Sequence, residues 1–224
     1  MPRVSHFIRR KTAANIHHAI RIADALGSPL NTFVTVNFSM TACEVEKVSE
    51  AFARLRNSRF SHWARRPSRR SGAAPFKPAF IWVIEAGGGV TAAHWLVSIP
   101  PERRADFEKK LAKWIDAVAG GSFRSTINIK DAPNPRGVGR YILKGMDPAW
   151  AAMFGIRFKD QGKVYGRRCG YSLNLGPTVK RKLREDGQYR QASRWKRLPP
   201  LPASVKVPAR TPRTTPSPIE VRPD

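Results

Sequence analysis

Acidic residues are scarce in this chain. Sixteen Asp and Glu stand against 41 Lys and Arg in 224 residues, a formal charge of +25. A chain this cationic repels itself unless a polyanion neutralises it, so DNA or RNA is the expected partner and an anionic membrane surface the competing one. Long apolar runs are missing as well. No stretch reaches the roughly eighteen uncharged apolar residues of a membrane span, so no membrane role is expected. With only Cys43 and Cys169 there is neither a disulfide framework nor a four-ligand zinc motif. The opening residues, Met1 to Arg10, lack the apolar core and small-residue cleavage site of a secretion signal. The expected compartment is a reducing cytoplasm. Phosphate-loop signatures are absent too: Gly87-Gly88-Gly89 lies between two strand-like runs, not before a helix.

What is present is an alternation of helical and strand periodicities. Ile16, Ile20, Ala23 and Leu26 are spaced for an amphipathic helix over Thr12 to Leu26, stopped by Gly27-Ser28-Pro29. Thr32 to Phe38 is β-branched and aromatic, the composition of a strand. Val45, Val48, Phe52 and Leu55 predict one continuous helix over Glu44 to Ala64, running into the basic linker Arg65 to Gly72. Two apolar runs around the glycines, Phe80 to Val97, predict a buried hairpin. Phe107, Leu111, Trp114 and Val118 predict a helix over Pro101 to Val118, and Ser125 to Lys130 alternates as a strand. A glycine-punctuated helix follows, with Tyr141 and Lys144 on it and Asp147-Pro148 marking its end or the next turn. Lys163 to Leu175 reads as a strand or extended loop, and Thr178 to Glu185 as a short basic helix. Beyond Leu198, prolines and basic residues leave too little apolar surface to order the chain, so a disordered tail is expected. The implied class is α+β, an antiparallel central sheet with flanking helices. Its expected division is an N-terminal helical extension (1–30), a nucleic-acid-processing domain (31–197) and the tail (198–224).

Two pairs of residues carry chemistry. If the hairpin turns at Gly88-Gly89, Glu85 lies opposite Ala92, with His94 two residues further along the same face. A carboxylate and an imidazole placed so could share Mg²⁺ or Mn²⁺, or could simply bond to one another in the sheet. Tyr141 and Lys144, three apart, share a helical face. A phenol is a poor nucleophile at neutral pH, and an ammonium beside it favours the phenolate and steadies a phosphate under attack. The plainer alternative is a core tyrosine with a solvated lysine neighbour. Arg65, Arg66, Arg69 and Arg70 form one basic cluster, Arg167 and Arg168 another, and Lys180, Arg181, Lys182 and Arg184 a third, with Arg140 next to Tyr141. Trp63, Tyr165, Tyr171 and Trp195 are interleaved with them as candidate base-stacking platforms.

The order of these features resembles the HUH-endonuclease superfamily, and within it the replication initiators of rolling-circle plasmids and phages. The likeness rests on Thr35-Val36-Asn37 in a strand, Glu85 with an x-hydrophobic-His triplet, and Tyr-x-x-Lys. It spans roughly Asn31 to Pro177, chiefly in Phe80 to Pro100, Gly137 to Pro148 and Gly170 to Pro177. The resemblance implies a ferredoxin-related sandwich that nicks single-stranded origin DNA with a divalent metal, leaving a 5′-phosphotyrosyl link and a free 3′ hydroxyl. Tyr141 would be the nucleophile, Lys144 its helper, and Glu85 and His94 the metal ligands. One position departs: the signature His-hydrophobic-His reads Ala92-Ala93-His94 here. His17 and His18 are the histidines that could substitute. A catalytically degenerate binder of DNA or RNA is therefore the alternative expectation.

Overall fold

Among the residues that a computed structural model describes (3–68, 72–121, 123 and 125–189), the alternation of apolar and polar residues resolves into seven strands and seven α-helices. In chain order these are β1 (Val4–Ser5), α1 (Arg10–Ala25), β2 (Thr32–Asn37), α2 (Val48–Arg54), α3 (Ser61–Ala64), β3 (Phe80–Glu85), β4 (Ala92–Val97), α4 (Arg104–Ala119), β5 (Ile127–Asp131), α5 (Pro135–Ile142), α6 (Pro148–Ala151), β6 (Val164–Tyr165), β7 (Cys169–Tyr171) and α7 (Pro177–Glu185). Five strands form one antiparallel sheet in the order β5-β2-β4-β3-β7, and β1 pairs with β6 in a separate ribbon. The class is thus α+β, with helices flanking an antiparallel sheet. Met1–Tyr189 make one unit; Arg190–Asp224, a second, includes the expected tail and lies outside the described residues.

Side chains alternate across a strand, so the sheet presents two faces. Phe80, Trp82, Trp95 and Val97 point to one, where Phe52 of α2 and Phe107, Leu111 and Ile115 of α4 close over them. Ile81, Val83 and Leu96 point to the other, beneath Ile16 and Ile20 of α1 and Ile142 of α5. Helix α1, expected within an N-terminal extension, packs against β3, β7, α5 and α7. Its apolar residues at steps of three and four (Ala13, Ile16, Ala19, Ile20, Ala23) are all buried. No described helix is long and apolar enough to cross a membrane.

Two helices differ from the periodicity. In place of one helix over Glu44–Ala64 there is a 3₁₀ turn at Val45–Lys47, then α2, a π-helical stretch at Leu55–Phe60 and α3. Val45 is consequently exposed, while the wider π turns carry Leu55, Arg56 and Phe60 inward. In α4 the buried position is Ile115; Trp114 sits half-buried at the margin against Trp63. That helix stops at Gly120, whose left-handed φ of 74° lets its N–H return to the Asp116 carbonyl.

Candidate active site

The hairpin register is set by its turn. Gly88 and Gly89 adopt φ of 64° and 77°, a conformation that costs a side chain strain, and the tight turn pairs Glu85 with Ala92 and Val83 with His94. Strand β2 lies on the other side of β4, pairing Thr35 with His94 and Asn37 with Ala92. Glu85, Ala92, His94, Thr35 and Phe33 therefore share one face, as the sequence predicts for the first three.

Above that face comes α5. Asn134 caps it, its side chain accepting from the Gly137 N–H at 2.9 Å, and Pro135 occupies the first turn. At Gly139 a side chain would run into Ile20, so this glycine lets α5 approach α1 closely. Gly139 and Ile142 face inward, leaving Tyr141 on the opposite side and 52% exposed. The helix ends at Ile142, so Lys144 lies not on it but in the turn that closes it, where its N–H meets the Tyr141 carbonyl at 3.3 Å. The turn still returns the lysine beneath the phenol.

These elements bring four side chains into one chain of contacts. Glu85 Oε1 lies 2.9 Å from His94 Nε2, and Glu85 Oε2 lies 3.0 Å from Lys144 Nζ. Lys144 Nζ in turn donates to the Tyr141 hydroxyl at 3.3 Å and sits 4.3 Å from the centre of the ring. On its other side the His94 Nδ1 shares a hydrogen bond with the Thr35 hydroxyl at 3.1 Å. Phe33 stacks on the imidazole at 5.6 Å and meets Tyr141 edge-on at 6.4 Å. Burial alone would raise the Glu85 carboxyl, but contact with His94 and Lys144 outweighs it and holds the group below its ordinary value. The carboxylate is thus the anionic centre of the cluster.

A divalent metal does not fit this donor set. Glu85 has one negative charge, and the Lys144 ammonium already stands on one of its oxygens. Ala92 offers no ligand, and among the described residues no three His, Cys, Asp or Glu side chains converge on a point. His17 stacks on Phe154 and His18 bonds the Tyr189 hydroxyl at 2.7 Å, so neither histidine completes the pair. An ammonium beside the carboxylate repels a divalent ion and attracts a phosphate. The cation of this site is Lys144.

The phenol opens on a cleft of about 520 Å³ lined by Arg140, Lys144, Arg157, Phe158 and Lys159. Arg140 belongs to the sequence-based set. Arg157, Phe158 and Lys159 do not, although a basic-aromatic-basic triplet was a legible signal for a polyanion surface. Phe33 and Thr35, which fix the imidazole, gave no sign beyond strand propensity.

The other expected nucleic-acid residues divide. Arg65, Arg66, Arg167, Arg181 and Lys182 are exposed and Lys180 is half-buried on α7, whereas Arg69, Arg70 and Trp195 lie outside the described residues. Arg168 is a correction: it is 3% exposed, and its guanidinium is spent on the carbonyls of Ser5, Gln161 and Gly162. Trp63 is another, since it is packed among Phe60, Phe76 and Phe107 and donates to Asp106 at 2.7 Å, leaving no ring face for a base. Tyr165 and Tyr171 are half-buried, and the Tyr171 hydroxyl accepts from Asn15 at 3.3 Å.

No protein-family model matches the chain, and no curated protein or solved structure matches it.

Proposed function

We propose that the chain is a nucleic-acid-processing protein of HUH-like type, binding single-stranded DNA and cutting it by attack of Tyr141 on a phosphodiester. One observation carries this reading: an exposed phenol, hydrogen-bonded to an ammonium, stands at the mouth of a cationic cleft. The phenol oxygen forms a bond to phosphorus as the bond to the 3′ oxygen breaks, and the phenolic proton passes, in net terms, to that leaving oxygen. The products are a 5′-phosphotyrosyl strand and a free 3′ hydroxyl, and a second hydroxyl reverses the step. Lys144 offsets charge on the attacking oxygen and on the phosphate, with Glu85 holding the ammonium in place. His94, gripped by Thr35 and Phe33, fixes Glu85 from the other side. Arg140, Arg157 and Lys159 attract the backbone.

The test is incubation of the full chain with single-stranded oligonucleotides, with and without Mn²⁺, followed by a denaturing gel. A covalent adduct is expected, lost in Tyr141→Phe and reduced at least ~100-fold in rate by Lys144→Met. An absent adduct, or one that persists in Tyr141→Phe, sinks the nicking reading.

A second reading, a relative that holds DNA or RNA without cutting it, is favoured by Ala92. This residue is 5% exposed and fills the position opposite both Glu85 and Asn37. On this reading Ala92→His creates nicking that the unmodified chain lacks; equal activity in the two chains counts against it.

A further inference from the structure

Arg56 is a charged side chain buried without a counter-ion. It is 8% exposed, and its guanidinium lies 4.2 Å from the centre of the Trp82 ring. One terminal nitrogen donates to Asn57 Oδ1 at 3.0 Å, but Nε has no partner. The charge that acts on it is another cation: Arg167, 5.8 Å from the same ring. Burial and the repulsion of Arg167 pull the Arg56 guanidinium down to about 10. A guanidinium kept in such surroundings is destabilising unless something anionic comes to it.

The surroundings supply a place for that anion. Arg56 lines a cleft of about 620 Å³ with Arg65, Lys77 and Arg167, and no carboxylate is among the described residues lining it. The π-helical stretch aims Arg56 into it from one side, and β7 with the following 3₁₀ turn forms the other. Leu173 stands 95% exposed at this wall, an apolar surface next to four charges. Trp82 faces away from Glu85, so Arg56 approaches the sheet from the side opposite the Tyr141 cluster.

We infer that this cleft is a second anion site, taking the phosphate group of a nucleotide, with Arg56 and Arg167 as its paired donors. Two guanidiniums converging from different elements match the several oxygens of one phosphate, and the apolar rim suits the attached base or sugar. The site stands apart from the Tyr141 chemistry: a chain that binds phosphate here and never cuts satisfies it. Both a polynucleotide backbone and a free nucleotide carry the required group.

The experiment uses the full chain and two probes. Inorganic phosphate, compared with chloride at equal ionic strength, is expected to raise Tm by ~3 °C when well above its Kd. Arg56→Met is expected to raise Tm without ligand, by removing an unpaired buried charge, and to abolish the phosphate-specific rise. A labelled single-stranded oligonucleotide followed by fluorescence anisotropy identifies the source. If the ligand is a polynucleotide, Arg65→Glu with Lys77→Glu weakens binding at least ~tenfold more than Lys109→Glu with Lys113→Glu on α4, which removes the same charge elsewhere. A phosphate-specific rise with no such excess loss assigns the site to free nucleotides. No rise in the unmodified chain, or a rise that survives Arg56→Met, overturns the proposal. Adduct formation enters none of these readouts, so failure of the nicking reading and failure of this one are told apart.

Discussion

The same strands build two unlike faces. On one, Trp95 touches Phe52, Phe60, Phe80 and Phe107 through edge-to-face contacts, and Arg56 and Arg103 lie over rings of the same cluster as cations. On the other, Glu85, His94 and Lys144 interrupt the apolar packing and Tyr141 reaches solvent. Alternation along β3 and β4 makes this division possible: Trp82 and Trp95 pair on one side of the sheet, and Val83 with His94 on the other. The aromatic face holds the strands, and the polar face spends some of that stability on side chains that pair with one another and reach solvent. A site of this kind is best placed on the stiffest part of a fold.

The division can be broken first from the aromatic side. Trp95→Ala removes a fully buried ring and is expected to cost about 3–5 kcal/mol in urea denaturation. A loss under ~1 kcal/mol would show that face to be less closely packed than its ring contacts indicate. Next, Glu85→Ala strands the Lys144 ammonium in a half-buried site and is expected to cost about 1–3 kcal/mol. Adding Lys144→Met should restore a good part of it; strictly additive losses would deny the coupling.

The pH dependence is smaller and has a definite sign. Because the folded-state value of Glu85 is depressed, its contribution is full above the unfolded value of 4.5 and is lost as pH falls through the lower folded value. Glu85→Gln should therefore lose less stability than the parent on acidification below pH 4.5, and parallel acid titrations would refute that. Smallest of all, Tyr141→Phe is expected to change stability by under ~0.5 kcal/mol, since its ring is half-exposed, while removing any adduct. A large loss of stability there would make the tyrosine structural.

The register of the hairpin was legible because three glycines between two apolar runs permit one tight turn, and a one-residue slip would expose the whole buried set. From it followed the Glu85–His94 pair. Tyr141 and Lys144 were legible as neighbours for a partly different reason than their helical spacing, since the helix ends before the lysine and the turn does the rest. Arginines were the least legible residues. Charge type alone places Arg56, Arg103 and Arg168 on the surface, yet all three are buried. The terminal nitrogens of Arg103 and Arg168 donate to backbone carbonyls that lie far away in sequence, such as Trp63 for the first and Ser5 for the second. Such partners are not written in local pattern. The π-helical stretch was invisible as well, because its wider turn is imposed by what packs against it.

Residues 3–8 thread through three parts of the fold at once. Ile8 exchanges backbone hydrogen bonds with Gly145 and Asp147 on either side of Met146, Ser5 receives Arg168, and Phe7 leans on Phe158 at 6.1 Å. Phe158 belongs to the wall of the Tyr141 cleft, and Gly145 directly follows Lys144. The amino-terminal segment therefore ties the turn that carries Lys144 to one wall of the Tyr141 cleft. Trimming it would loosen Lys144 and the cleft wall together.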